Sequence, residues 1–123
     1  MSTIKDVNKY QNKELQKHMY GHCGYLPTEK EVVYILGPMT GQKGLNFDAF
    51  FEAQEYLEGN GFCVINPATN PMGLKREDYI MVDLQLLSCA NSAYRLNGWE
   101  FSSGAKVENA LAEYLGLKIY DED

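Results

Sequence analysis

From Val32 to Tyr120 the chain alternates short runs of β-branched and aromatic residues with segments patterned at helical spacing, and this alternation restricts the fold more than any other feature. A strand, a helix and a further strand in succession bring the second strand alongside the first in parallel, so repetition builds a mostly parallel sheet covered by helices. Val32-Val33-Tyr34-Ile35-Leu36 reads as the first strand, and Gly37-Pro38-Met39-Thr40-Gly41 ends it with turn residues. Asn46 is positioned to cap a helix whose Phe47, Phe50, Phe51, Gln54 and Leu57 share one face, with Gly59-Asn60-Gly61 as its stop. A second strand follows at Phe62–Ile65, and a helix from Arg76 to Ser88 turns Ile80, Leu84 and Leu87 inward. A weaker strand at Ser92–Leu96, a last helix and a final strand at Leu117–Tyr120 complete one α/β domain, residues 31–123.

Residues 1–30 read differently. They are polar, carry Ile4, Val7, Tyr10, Leu15 and Met19 at irregular, roughly helical intervals, and run into the loop-like Tyr20–Pro27. An N-terminal extension, partly helical, is expected there. His18, His22 and Cys23 have helix-compatible metal spacing, but no fourth ligand accompanies them, so neither a metal nor any other cofactor is expected.

Composition narrows the partner. With 45% hydrophobic residues the chain can bury a core, and a net charge of −6 opposes attraction to a nucleic acid polymer. No apolar run reaches the length of a membrane span and the first residues lack a signal-peptide pattern, so a cytoplasmic protein without membrane contact is expected. Cys23, Cys63 and Cys89 are odd in number and widely spaced, which disfavours both disulfides and structural zinc. The partner expected is a small molecule.

The chemistry concentrates between Gly98 and Glu108. Ser102, Ser103 and Gly104 stand at a helix start, offering hydroxyls and backbone N–H groups to an anion, although a serine N-cap alone accounts for them equally simply. Gly104, Glu108 and Ala112 recur every four residues, so Glu108 lies on a stripe of minimal side chains with space around it. Val107, Leu111, Tyr114 and Leu115 form the adjoining apolar stripe expected to pack on the sheet. Taken alone, Glu108 would be an ordinary solvated glutamate.

Asp83 falls among Ile80, Leu84 and Leu87 on the inward side of its helix, where an unpaired charge is costly. Either it contacts a ligand, or it bonds a neighbouring loop or pairs with Arg76 or Lys75. In an open parallel sheet the ligand crevice lies beyond the carboxyl ends of the strands, so the loops Gly37–Gly44, Asn66–Lys75 and Asn97–Ser103 are expected to converge around a pocket. Trp99 stacks on a base or merely closes the pocket, and Glu100 donates a proton or faces solvent; the sequence does not choose. The Gly37–Gly41 turn lacks the glycine spacing and lysine of phosphate-binding loops, which leaves ATP hydrolysis and NAD-dependent redox chemistry unsupported.

Together Val33 to Gly41, Asn66-Pro67-Ala68, Asp83, and Gly98-Trp99-Glu100 through Ser102-x-Gly104-x-x-x-Glu108-x-x-x-Ala112 resemble the nucleoside 2-deoxyribosyltransferase-like superfamily, in particular a short branch of bacteria and phages related to the 2'-deoxynucleoside 5'-monophosphate N-glycosidases. The resemblance spans about Val32 to Tyr120 and implies a flavodoxin-like, doubly wound sheet. It further implies that Glu108 attacks the anomeric carbon of a nucleoside or nucleotide, that Asp83 positions the sugar or the nucleophile, and that Tyr34 lies near the nucleophile. Ser102, Ser103, Gly104 and the Gly37-Pro38-Met39-Thr40-Gly41 turn would bind the substrate, and the chain would form a homo-oligomer. The sequence departs from the pattern at Met81 and Val82, where the branch carries arginines, and at Asn91, where an aspartate is common.

The activity expected is therefore cleavage of an N-glycosidic bond, in which an ionised carboxylate beneath the sugar stabilises developing positive charge and traps it covalently. The alternatives are a noncatalytic nucleotide-binding or sensing module, favoured by the missing arginines, and an interaction protein whose extension docks a partner.

Overall fold

The computed structural model describes residues 30–123; the expectations for the extension, including its helix and the His18, His22 and Cys23 group, lie outside them. Strands β1 (Val32–Leu36), β2 (Cys63–Ile65), β3 (Ser92–Arg95) and β4 (Lys118–Asp121) form one sheet in the order β2-β1-β3-β4, with every pairing parallel. Helices α1 (Phe47–Gly59), α2 (Arg76–Ser88) and α3 (Ser103–Tyr114) supply the three crossovers. The chain leaves β1 toward one edge and returns past it to the other, so the direction of winding reverses between β1 and β3. That reversal opens a crevice at the strands' carboxyl ends. This is the flavodoxin-like, doubly wound α/β arrangement expected. Among the described residues no helix is long and apolar enough to cross a membrane.

Both faces of the sheet are covered, and β1 shows how. Its alternate side chains go to opposite sides: Val33 and Ile35 join Phe50, Ala53 and Leu57 of α1, whereas Tyr34 and Leu36 join Leu87 of α2 and Ala105 and Ala112 of α3. All four of these β1 residues are fully buried, as a parallel strand sandwiched between helices requires.

The helical faces differ from expectation in three places. In α1 the buried stripe is Phe50, Ala53 and Leu57, and Phe51 is exposed because it lies about 100° around the helix from Phe50. Asn46 precedes α1 but does not cap it; its backbone is left-handed, and its amide donates to the Pro38 carbonyl at 2.9 Å, fastening the turn after β1. In α3 the sheet-facing residues are Ala105, Glu108, Asn109 and Ala112, while Val107, Tyr114 and Leu115 are exposed and Leu111 is half-buried. Two alanines let the helix lie close to β1. A stripe of Val, Leu and Tyr at those positions would hold it away.

Candidate active site

Three loops meet where the winding reverses, and between them is a cavity of about 690 Å³. Gly37, Met39 and Thr40 after β1, Pro67 to Leu74 after β2, and Phe101 to Ala105 before and within α3 contribute to its lining. Asp83 of α2 and Glu108 of α3 both face into it.

Glu108 is 9% exposed and accepts a hydrogen bond from the Tyr34 hydroxyl of β1. Its place follows from local sequence: Ser102 caps α3 by accepting from the Ala105 N–H at 3.2 Å, which fixes where the helix starts and hence which residue meets β1. Burial pushes the Glu108 carboxyl up to about 8, against the Tyr34 hydrogen bond, which favours the charged form; the nearby Asp83 raises it further. Tyr34 is itself held well above its ordinary value, first by burial and then by Glu108 and Asp83, so it remains a hydrogen-bond donor.

Asp83 is half-buried and pairs with neither Arg76 nor Lys75. Its Oδ1 accepts from the Asn70 amide at 2.6 Å, which ties the loop after β2 to α2. Burial raises the Asp83 carboxyl to about 6 and the Asn70 donation opposes the rise. Two carboxylates of different acidity thus share one cavity, an arrangement found where acid–base or nucleophilic work is divided between them.

The remaining lining mixes two kinds of side chain. Met39, Leu45, Phe47, Phe50, Met72 and Phe101 contribute apolar surface, with Phe101 90% exposed. Arg76, Ser102, Ser103 and Gly104 contribute polar groups, and the Arg76 guanidinium donates to the Ser103 Oγ at 2.7 Å. Apolar surface of this kind can hold a flat ring system and the polar groups can hold an anion.

Of the residues expected to bind substrate, Gly37, Met39, Thr40, Ser102, Ser103 and Gly104 line this cavity together with Glu108 and Asp83, and Tyr34 stands directly behind Glu108. Pro38 and Gly41 do not line it: Pro38 is buried beneath the turn, and Gly41 sits at its exposed tip with φ +80°. Trp99 and Glu100 line a separate cavity of about 320 Å³ with Arg95 and Asp121. There Arg95 lies over the Trp99 ring, 4.6 Å from its centroid, and forks onto Asp121 at 2.6 and 2.8 Å. Gly98, with φ +88°, precedes the short turn Trp99–Phe101 that carries these two residues. Met81 and Val82, the two positions just ahead of Asp83, also lie off the main cavity's lining.

Asn70 and the cavity-lining position of Arg76 were missed in the sequence. Arg76 stands seven residues before Asp83, two helical turns on the same face, a spacing that marks a shared wall. Asn70 lies in a loop expected to reach the pocket, but nothing in Asn66–Pro71 distinguishes its amide from that of Asn66, which instead accepts from Ala68 N and donates to Gln54.

Residues 31–121 match the family described as a domain of unknown function, DUF4406. The chain belongs to that family. No curated protein matches it.

Proposed function

We propose that this DUF4406 protein cleaves the N-glycosidic bond of a nucleoside, 2'-deoxynucleoside or the corresponding 5'-monophosphate, as an N-glycosidase or deoxyribosyltransferase of the cytoplasm. The observation that carries the reading is the buried Glu108 carboxyl, braced by Tyr34 and sharing one cavity with Asp83. In this mechanism the Glu108 carboxylate attacks the anomeric carbon while the carbon–nitrogen bond breaks and its electron pair leaves with the base, which takes up a proton from solvent. Positive charge gathered on the sugar ring in the transition state is offset by the adjacent carboxylate. Asp83, held by Asn70, accepts from a sugar hydroxyl. Water, or a second base, then attacks the glycosyl ester, frees Glu108 and releases the sugar.

The apolar side of the cavity receives the base. The same reading takes the chain as a homo-oligomer, for which the exposed Val107 and Tyr114 of α3 and the adjoining Leu115 offer an apolar surface; light scattering measures it.

The test incubates the purified protein with ribo- and deoxynucleosides and their monophosphates and follows free base, with Glu108→Gln alongside. No base from any candidate, or equal release by the variant, removes the proposal. One observation favours a second reading, a nucleotide-binding module without chemistry: a carboxyl raised to about 8 is mostly protonated at neutral pH. Saturable binding without base release on both sides of that pH would select it.

A further inference from the structure

We propose that Arg95 is a positioning residue for Glu108: through Asn109 it fixes the rotation of α3 that turns the carboxylate toward Tyr34 and the main cavity. This deepens the glycosidase reading above, whose nucleophile it aims, and the aim can be measured without turnover.

Arg95 ends β3, directly opposite Asp121 in the register with β4. Its guanidinium joins three elements. Nε and Nη2 donate to the two Asp121 carboxylate oxygens at 2.6 and 2.8 Å, and Nη1 donates to the Asn109 Oδ1 of α3 at 3.1 Å. The same group lies over the ring of Trp99, in the turn that leads into α3. Asn109 is 7% exposed, and its own amide donates to Glu113 one helical turn on. Asp121 is 59% exposed, so its ion pair adds little stability. What it supplies is orientation, holding the planar fork so that the remaining nitrogen meets Asn109, a span that a lysine ammonium does not reproduce.

Glu108 and Asn109 are consecutive, so their side chains leave α3 about 100° apart. One is bonded to Tyr34 of β1 and the other to Arg95 of β3, the neighbouring strand. These two bonds act as opposed stays, because turning the helix to relax one stretches the other. Little else resists such a turn. Apart from the half-buried Leu111, the apolar residues of α3 packed in this layer are Ala105 and Ala112, whose methyl groups let the helix approach without interlocking side chains.

The charged groups around the guanidinium are Asp121, Glu113 and Glu100, and the titratable groups around Glu108 are Tyr34 and Asp83. Loss of a nearby cation raises a carboxyl, whereas a carboxyl turned out toward water falls toward its ordinary value. The sign of the change therefore separates a charge effect from a positional one.

The experiment follows the Glu108 carboxyl of the full chain by carbon-13 NMR across pH, its signal identified by loss in Glu108→Gln. Wild type should titrate at about 8. In Arg95→Lys the midpoint should fall by about one unit or more, because burial is the larger influence on this group and is relieved. Asn109→Ala should reproduce the fall, and combining it with Arg95→Lys should add nothing. Asp121→Asn, an exposed change that leaves the fold intact, should give a smaller fall. For base release by Arg95→Lys, kcat should drop about tenfold or more with KM within about twofold, since a misaimed nucleophile still binds substrate. An unmoved or raised midpoint in folded Arg95→Lys and Asp121→Asn, or a further fall in the double variant, overturns the proposal. If wild type releases no base, the glycosidase reading fails, and the NMR midpoints still decide the role of Arg95.

Discussion

Tyr34 and Glu108 are 74 residues apart in the chain, one in the central strand and the other on the last helix, and the tyrosine hydroxyl donates to the glutamate's Oε2 inside the core. The bond favours the ionised carboxylate and works against burial, which favours the acid.

Removing it with Tyr34→Phe should therefore raise the Glu108 carboxyl beyond about 8. An ionised nucleophile makes kcat/KM climb with pH through that value, so the rising limb should move to higher pH by about one unit. A pH–rate profile of base release checks this. A limb that stays put, or moves down, contradicts the assignment of the limb to Glu108.

Glu108→Gln should abolish base release and also stabilise the fold in alkali. A carboxyl raised in the folded state keeps its proton after the unfolded chain has lost it. Wild-type stability is therefore intact below the ordinary value of 4.5 and declines as pH rises through about 8. Glutamine has no such decline. The variant's Tm should exceed that of wild type by a margin that grows across this window and reaches about 5 °C or more at its upper end. Thermal unfolding at several pH values measures it, and a constant margin would show that Glu108 does not carry the shift.

Two glycines at the cavity should separate folding from binding. At Gly37 an added Cβ would meet the Leu96 Cβ at 2.7 Å and Cδ1 at 2.8 Å, and Leu96 is fully buried. Gly37→Ala should cost about 1–3 kcal/mol in denaturant unfolding. At Gly104 an added Cβ meets nothing within 4 Å. Gly104→Ala should leave the fold as stable or up to about 1 kcal/mol more so, since alanine favours the helix, and should raise KM by intruding on the cavity. Lower stability in Gly104→Ala, or an unchanged KM, would refute that division.

Glu100→Ala should leave kcat/KM within about twofold of wild type, because surface changes away from a site rarely act on it and Glu100 faces the Arg95 cavity. A large loss would put Glu100 in contact with substrate and revise the position of the 3₁₀ turn that carries it.

The sheet and the three crossovers were legible because β-branched runs and helical spacing are local signals. Helix orientation was less so. The rule that large apolar residues face inward picked Val107, Tyr114 and Leu115 on α3, whereas a helix lying close to β1 buries Ala105 and Ala112 and turns the larger side chains out. Glu108 and Asp83 were found through their neighbours' sizes and the loops near them. Trp99 and Glu100 line the second cavity instead, and linear proximity to Ser102 hid the left-handed turn at Gly98, whose positive φ no spacing reveals. Asn70 and the free face of Arg76 depend on contacts across the fold, and a single sequence carries no such information.

Because successive side chains of β1 point to opposite layers, a slip of one residue would hand the position beside Glu108 to Ile35 and drive the Tyr34 phenol into the greasy layer under α1. Registry in that strand is thus a shared condition for holding together and for reacting. Insertions or deletions that shift it should extinguish both at once, whereas a variant that stays folded yet inert, such as Glu108→Gln, lies on a helix.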